Sequence, residues 1–418
     1  MRKIPTHMLV AGSAWAGRVI SAVAGLVTIR LLTNGLGMER YAAYAVLSGL
    51  QGWYLLCDLG VGISLQNHIS ERRAREQDYV DLIWAAALVA ISLLFVTITA
   101  LYFISPFIAP KILNSFVFLS ESEKTRQFFT VGALSIMIGI GSIVYKIWYA
   151  EQRGYLANII PAVGAVLTVL AIRSIVRSGL GGTEKLHWSL VASFVPLALL
   201  PVVALVGRGA ACSGQRLNRE LLRPLIKRAL KFWFFGLMAA GVLQIDYVVM
   251  SQFLKPDEIV IYNLSTKIFN IAFFIYAALL AAVWPVCAEA IARNEWPRVK
   301  KYLRDYNLAG ICFICMITAA LILLMPWLVH LLSPKQHLVV PTLFIVGLGC
   351  YFAIRVWSDT FAMVLQSMSF LRPFWIIVPL QAALSVSLQW LLIPQYRIFG
   401  VIMGLWDPLS LLLAGHCP

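Results

Sequence analysis

Apolar stretches long enough to cross a bilayer as helices recur along the whole 418-residue chain, and that recurrence excludes most folds at once. A spanning α-helix needs about 20 predominantly apolar residues to cover roughly 30 Å of hydrocarbon. About twelve segments meet this requirement: 9–32, 42–67, 80–104, 127–149, 155–172, 186–206, 229–251, 259–286, 307–329, 338–365, 372–393 and 398–415. Inside a bilayer every backbone N–H and C=O must find a partner within the protein, so the expected fold is all-α and integral to a membrane. Composition agrees, since 60% hydrophobic and 13% charged residues leave too little polar surface for a soluble protein of this length. Pro106 and Pro110 are expected to close the third span and Pro285 the eighth. No connection is long enough to hold a catalytic domain outside the membrane.

The formal charge of +15 does not point to nucleic acid, because the basic residues sit mainly in short connections between spans. Arg72, Arg73 and Arg75 form one group, Arg208 to Lys231 a second, and Arg293, Arg298, Lys300, Lys301 and Arg304 a third. All three fall on one side of an even number of spans, so the positive-inside rule places both termini in the cytoplasm. The seven cysteines form no paired array, and Cys312 and Cys315 read as small apolar residues on a membrane helix. The six histidines recur at no metal-ligand spacing. Arg18 interrupts the first apolar run and no small-residue cleavage site follows it, so that run reads as a retained span.

The basic segment 208–231 divides the chain into an N-terminal six-helix lobe, 1–207, and a C-terminal six-helix lobe, 232–418. A short internal echo supports the division. Glu39 precedes Tyr44 by five residues after the first span, and Asp257 precedes Tyr262 by five after the seventh. An acid suits the first turn of a helix, where the dipole favours negative charge. Parallel repeats of this kind suit an alternating-access transporter with a cavity between its halves.

Polar residues inside the spans carry the functional signal, since charges in hydrocarbon usually face a protein interior or a water-filled cavity. Arg18, Ser21, Gly25 and Thr28 share one face of the first span. Asp58 lies in the second span, followed by the glycine-rich, polar run Gly60 to Asn67. The seventh span holds Gln244 and Asp246, and the eighth sets Asn263, Lys267 and Asn270 on one face. Arg355 and Asp359 lie one turn apart in the tenth span, and Gln381, Ser385 and Gln389 form a stripe in the eleventh. Each set has two readings. The cations Arg18, Lys267 and Arg355 either attract an anionic substrate or are neutralised by Asp58, Asp246 and Asp359. Gln381, Ser385 and Gln389 either meet sugar hydroxyls or join helices by hydrogen bonds, and Asn263 and Asn270 flank Lys267 on one bundle-facing stripe that would contribute to substrate binding.

Arg30-Leu31-Leu32-Thr33, Leu36-Gly37 and Glu39-Arg40-Tyr41 resemble the first turn of bacterial polysaccharide-export flippases. Asp58-Leu59-Gly60-Val61-Gly62 and Gln66 to Glu71 resemble their second-helix signature. The chain thus resembles the O-antigen flippase (Wzx) branch of the multidrug/oligosaccharidyl-lipid/polysaccharide exporter (MOP) superfamily. That resemblance implies movement of an undecaprenyl-diphosphate-linked oligosaccharide across the bacterial inner membrane, with no covalent step and no cofactor. It makes Arg18 and Lys267, with Arg355 behind them, the lining for a diphosphate or acidic sugar. It makes Asp58, Asp246 and Asp359 candidates for coupling to a proton or sodium gradient or for charge pairing. It also implies membrane lipids, a glycan polymerase and chain-length-control machinery as partners, and no nucleic acid. The chain has fewer spans than the neighbouring lipid II flippases.

Two alternatives stay open at this level. A multidrug exporter of the same superfamily would need a cavity for cationic amphiphiles, against which Arg18, Lys267 and Arg355 count. An integral-membrane glycan polymerase or glycosyltransferase would need acids in a sizeable outer loop, and Glu121 and Glu123 in the 105–126 connection read instead as a solvated turn.

Overall fold

A computed structural model of the chain describes residues 6–211, 219–243, 245–332, 338–368 and 374–414. Every regular element among them is helical. The first part of the chain forms α1 (Thr6–Leu36), α2 (Met38–Gly49), α3 (Gln51–Tyr54), α4 (Val61–Ala74), α5 (Val80–Ile112), α6 (Glu121–Gly141), α7 (Ile143–Ala150), α8 (Gly154–Arg177) and α9 (Gly182–Ala210). The rest forms α10 (Arg219–Leu243), α11 (Ile245–Phe253), α12 (Pro256–Ala292), α13 (Trp296–Leu332), α14 (Thr342–Ser367), α15 (Phe374–Tyr396) and α16 (Ile398–Ala414). A 3-10 turn, Leu55–Asp58, leads from α3 towards α4.

Nine stretches among the described residues are long and apolar enough to cross a membrane. The pair Met38–Asp58 and Val61–Arg73, bent by 46°, makes a tenth if it is one broken span. The chain is therefore an all-α, multi-span membrane protein. The seventh and twelfth expected spans are not among these stretches. Helix α16 covers only 17 residues, and α10 carries Arg223, Lys227, Arg228 and Lys231 before it turns apolar.

Several helix ends differ from expectation for a common reason. Helix α5 runs through Pro106 and Pro110 to Ile112, and α12 continues past Pro285 to Ala292. A proline removes one backbone hydrogen bond, whereas leaving the helix in hydrocarbon would strand several. Arg298, Lys300, Lys301 and Arg304, expected in a connection, form the opening turns of α13. Glu121 and Glu123 lie on the surface as expected, but in the first turn of α6, where Glu123 completes a capping box. The Ser120 N–H donates to Glu123 Oε2 at 2.9 Å, and the Glu123 N–H donates back to Ser120 Oγ at 3.3 Å.

The chain divides into two compact units, Met1–Ala240 and Gly241–Pro418. In the first, α1 lies along α8, and α6 is flanked by α5 and α9. Gly17 lets α1 approach closely, since a Cβ there would lie 2.8 Å from the Asn158 carbonyl oxygen of α8. Tyr44 of α2 is buried, its hydroxyl 2.9 Å from Ser193 Oγ of α9. The outer side of α5 is aromatic and bare, with Phe95 and Phe107 each 74% exposed. Hydrocarbon takes the place of water there, so such a face is normal for a spanning helix. In the second unit α12 packs on α14 through Phe269 and Phe352, whose rings stack at 5.2 Å. Glu39 falls in the first turn of α2, and Asp257 and Glu258 fall in that of α12. Arg397, the residue after α15, pairs with Glu258, with Nε 2.9 Å from Oε1 and Nη2 on Oε2.

Candidate functional site

The first unit builds its polar interior around a break in the chain. Leu59 and Gly60 take left-handed backbone angles, φ 48 and 74, which end the 3-10 turn and restart the chain as α4. The new helix begins with orphan N–H groups. Asp58 satisfies two of them: Oδ1 accepts from the Gly60 N–H at 2.9 Å, and Oδ2 from the Gly62 N–H at 3.4 Å. Asp58 is thus bound to its own helix start. Helix α10 seats on the same corner, where a Cβ on Gly60 would collide with the Ala229 carbonyl oxygen. Ser64 Oγ donates to the Leu225 carbonyl at 2.8 Å, and Arg228 pairs with Glu71 at 2.7 Å.

Beside that corner stands Lys146 of α7. A Cβ on Gly62 would sit 3.1 Å from Lys146 Cγ and 3.3 Å from Asp58 Oδ2, so the lysine stem crosses the face of α4 next to the acid. Its charge acts on the Asp58 carboxylate. Lys146 forms no hydrogen bond or ion pair among the described residues. Sequence reasoning did not single it out. It sits near the end of an apolar run between Tyr145, Trp148 and Tyr149, a pattern that resembles an interfacial anchor. Arg18 is exposed on α1, and Ser21, Gly25 and Thr28 are half-buried along the same side. A Cβ on Gly25 would meet nothing within 4 Å, so there is open space beside that residue.

The second unit separates its charges. Asp246 of α11 is 6% exposed and accepts two hydrogen bonds, one from the Tyr262 hydroxyl of α12 and one from Gln389 Nε2 of α15 at 2.8 Å. Gln389 Nε2 also lies 3.2 Å from Ser385 Oγ. Next to this network Asn263 donates to the Tyr247 hydroxyl at 2.6 Å. Asp246 therefore draws its stabilisation from neutral donors on two other helices. Lys267 lies one turn beyond Asn263 and is half-buried. It has no hydrogen bond or ion pair among the described residues, and no described acid lies within ion-pair distance of it. Asn270, one further turn along, is exposed. The Asn263–Lys267–Asn270 stripe thus runs from a packed end to an open one.

Arg355 and Asp359 come together at 4.0 Å, and the Arg355 guanidinium lies over the Phe273 ring, 4.5 Å from its centroid. The pair is internally compensated by charge and by the ring face. Gln381 is half-buried on α15, two turns before the Gln389 network. Gln244 lies outside the described residues.

Solved structures of membrane transporters share this all-α fold. An inward-facing multidrug resistance MATE family transporter of the MOP superfamily matches with a TM-score of 0.73 at 12% identity, over 94% of this chain and 93% of its own. The lipid II flippase MurJ in an inward closed conformation matches at 0.70 and 11%, over 98% and 87%. Residues 235–391 match the MatE family model. The chain therefore has the fold of these transporters.

Closer relatives narrow the class. The "Putative O-antigen export protein" of Yersinia pseudotuberculosis is 36% identical over 406 residues, 96% of this chain and 93% of that protein. The "Putative O-antigen transporter" of Salmonella typhi is 36% identical over 403 residues, with the same two coverages. The chain belongs to this family of bacterial multi-pass membrane proteins.

Proposed function

We propose that the protein is a flippase for an undecaprenyl-diphosphate-linked oligosaccharide, an O-antigen or related repeat unit, and works by alternating access. The observation that carries this reading is Lys267: a half-buried cation on a membrane helix with no acid of its own among the described residues. A desolvated ammonium without a counter-charge is costly, and an anionic group arriving from outside relieves that cost. A diphosphate supplies such a group, and Lys267 offers it three donors. Within the first unit Lys146 and Arg18 are candidate cations for the same kind of headgroup, and within the second Asn270 and Gln381 are candidate partners for sugar hydroxyls. Arg355, already compensated by Asp359 and Phe273, and Asn263, already on Tyr247, contribute less.

In this reading the lipid tail stays in the bilayer while the headgroup moves, which spares the sugar and phosphates from hydrocarbon. The chain makes twelve spans in two six-helix lobes, with α10–α11 and α16 as the seventh and twelfth. Both termini are cytoplasmic, and the membrane is the bacterial inner membrane. Asp246 is the favoured site for coupling to a proton or sodium gradient, because neutral donors hold it and no described cation competes. A glycan polymerase and its chain-length regulator would take the product. Binding of a short-chain prenyl-diphosphate oligosaccharide to the purified protein tests the site. Replacing Lys267 with methionine removes one charge-assisted hydrogen bond, about 1.5–3 kcal/mol, and should weaken binding about 10- to 100-fold. Unchanged affinity in Lys267→Met would remove this residue from the path.

A further inference from the structure

We propose that the first half of α10 is a binding surface for anionic phospholipid headgroups, a role separate from the substrate path. The helix presents two parallel stripes. Arg223, Lys227 and Lys231 are spaced four apart, and all three are exposed. Ile226, Leu230 and Phe234 are spaced four apart as well, and they are 40%, 45% and 38% exposed. At about 100° per residue the two stripes lie roughly 60° from each other on one side of the helix. A basic row beside an apolar row is the pattern of a helix lying in the membrane interface, with apolar side chains in the acyl boundary and cations among headgroups.

Two further observations fix which way that side faces and what it meets. The opposite face is spoken for: Leu225 and Ala229 are buried, Ser64 binds the Leu225 carbonyl, and Gly60 touches the Ala229 backbone. Arg228, on that seated side, has its own acid in Glu71. Arg223, Lys227 and Lys231 instead form no ion pair among the described residues, and no acid occurs between positions 223 and 234. Three cations with no ion pair among the described residues, next to the exposed Ile226 and Leu230, are complementary to a negatively charged lipid surface, and not to a soluble anion, which would leave the apolar row in water. Beyond Lys231 the helix turns apolar through Phe232 to Leu243, so the stripes lie where the chain enters the membrane.

Native mass spectrometry of the full-length protein, titrated with phosphatidylglycerol and with phosphatidylcholine, tests this without reference to transport. Each basic residue near an anionic surface contributes about fivefold in binding. The Arg223→Gln/Lys227→Gln/Lys231→Gln variant should lose at least about tenfold in phosphatidylglycerol affinity, with phosphatidylcholine unchanged. The charge-keeping Arg223→Lys/Lys227→Arg/Lys231→Arg variant should bind as the parent does. Equal affinity of the parent for both lipids would overturn the proposal, as would equal phosphatidylglycerol affinity in the parent and the glutamine variant. Displacement of phosphatidylglycerol by an equal concentration of inorganic diphosphate would assign the cations to a soluble anion and also overturn it.

Discussion

Lys267 and Asp246 are both charges in the second unit, yet their neighbours predict opposite effects on stability when each is made apolar. A lysine at the centre of a membrane helix costs about 2.5–3.5 kcal/mol. Lys267 is half-buried and has no acid among the described residues, so about 1–2 kcal/mol of that cost is unrelieved in the empty protein. Lys267→Met should therefore stabilise the protein by about that amount. For a unit of this size 1 kcal/mol moves the unfolding midpoint about 2–4 °C, so a rise of a few degrees is expected. Asp246→Leu does the reverse, because it leaves the Tyr262 hydroxyl and Gln389 Nε2 buried without their acceptor. At about 1–3 kcal/mol for each stranded donor, a fall of about 5 °C or more should follow. Thermal unfolding of both variants in detergent, followed by tryptophan fluorescence, reads the two signs directly. A Lys267→Met midpoint below that of the parent would mean the lysine has a structural partner, and the argument for an incoming anion would fail. A gain in stability that comes with lost binding is what a site held ready for ligand should show.

Three further outcomes follow from local geometry. Lys146→Met should lower substrate affinity about tenfold, the low end of a lost charge-assisted bond, and leave the unfolding midpoint within about 2 °C; binding and melting curves on the same preparation check both. Gly60→Val puts a β-branched residue at φ 74 against the Ala229 carbonyl, and should cost at least about 2 kcal/mol, seen as reduced yield of monodisperse protein, whereas Gly62→Ala should be milder. Ser120→Ala removes one half of the α6 capping box and should cost about 1 kcal/mol, measurable as a lower midpoint with unchanged transport.

Helix type and the placement of nine or ten of the twelve expected spans were legible in the sequence, because hydrocarbon leaves few choices. A stretch such as 155–172 has to be helical, and α8 covers it. Helix ends were less legible, because the usual proline rule assumes water on the other side of the break. Pro106 and Pro110 therefore sit inside α5. The second span was read as continuous, although Asp58-Leu59-Gly60 carries the ingredients of a capped corner: an acid that can accept from N–H groups ahead of it and a glycine that tolerates positive φ. Intramembrane charges were visible as types and positions, and Arg355–Asp359, one turn apart, as a pair, but partners distant in sequence were not. Asp246 and Gln389 are 143 residues apart, and nothing local marks them as partners. The Asn263–Lys267–Asn270 stripe lies on one helix as expected, yet its first member is buried and its last exposed, because this one face of α12 is covered at Asn263 and uncovered by Asn270 while Phe273 and Tyr276 beyond it stay buried. Lys146 escaped notice through its aromatic flanks, and only the close approach of α7 to Gly62 reveals it.

The central claim is that the protein carries a diphosphate-linked glycan headgroup from one leaflet to the other. Its most direct test is reconstitution of the purified protein into vesicles containing a fluorescent undecaprenyl-diphosphate oligosaccharide, with leaflet exchange followed by an impermeant quencher. Protein-dependent exchange that is lost in Lys267→Met is the predicted result. Exchange no faster than in protein-free vesicles, with export of a cationic drug by the same preparation, would contradict the account.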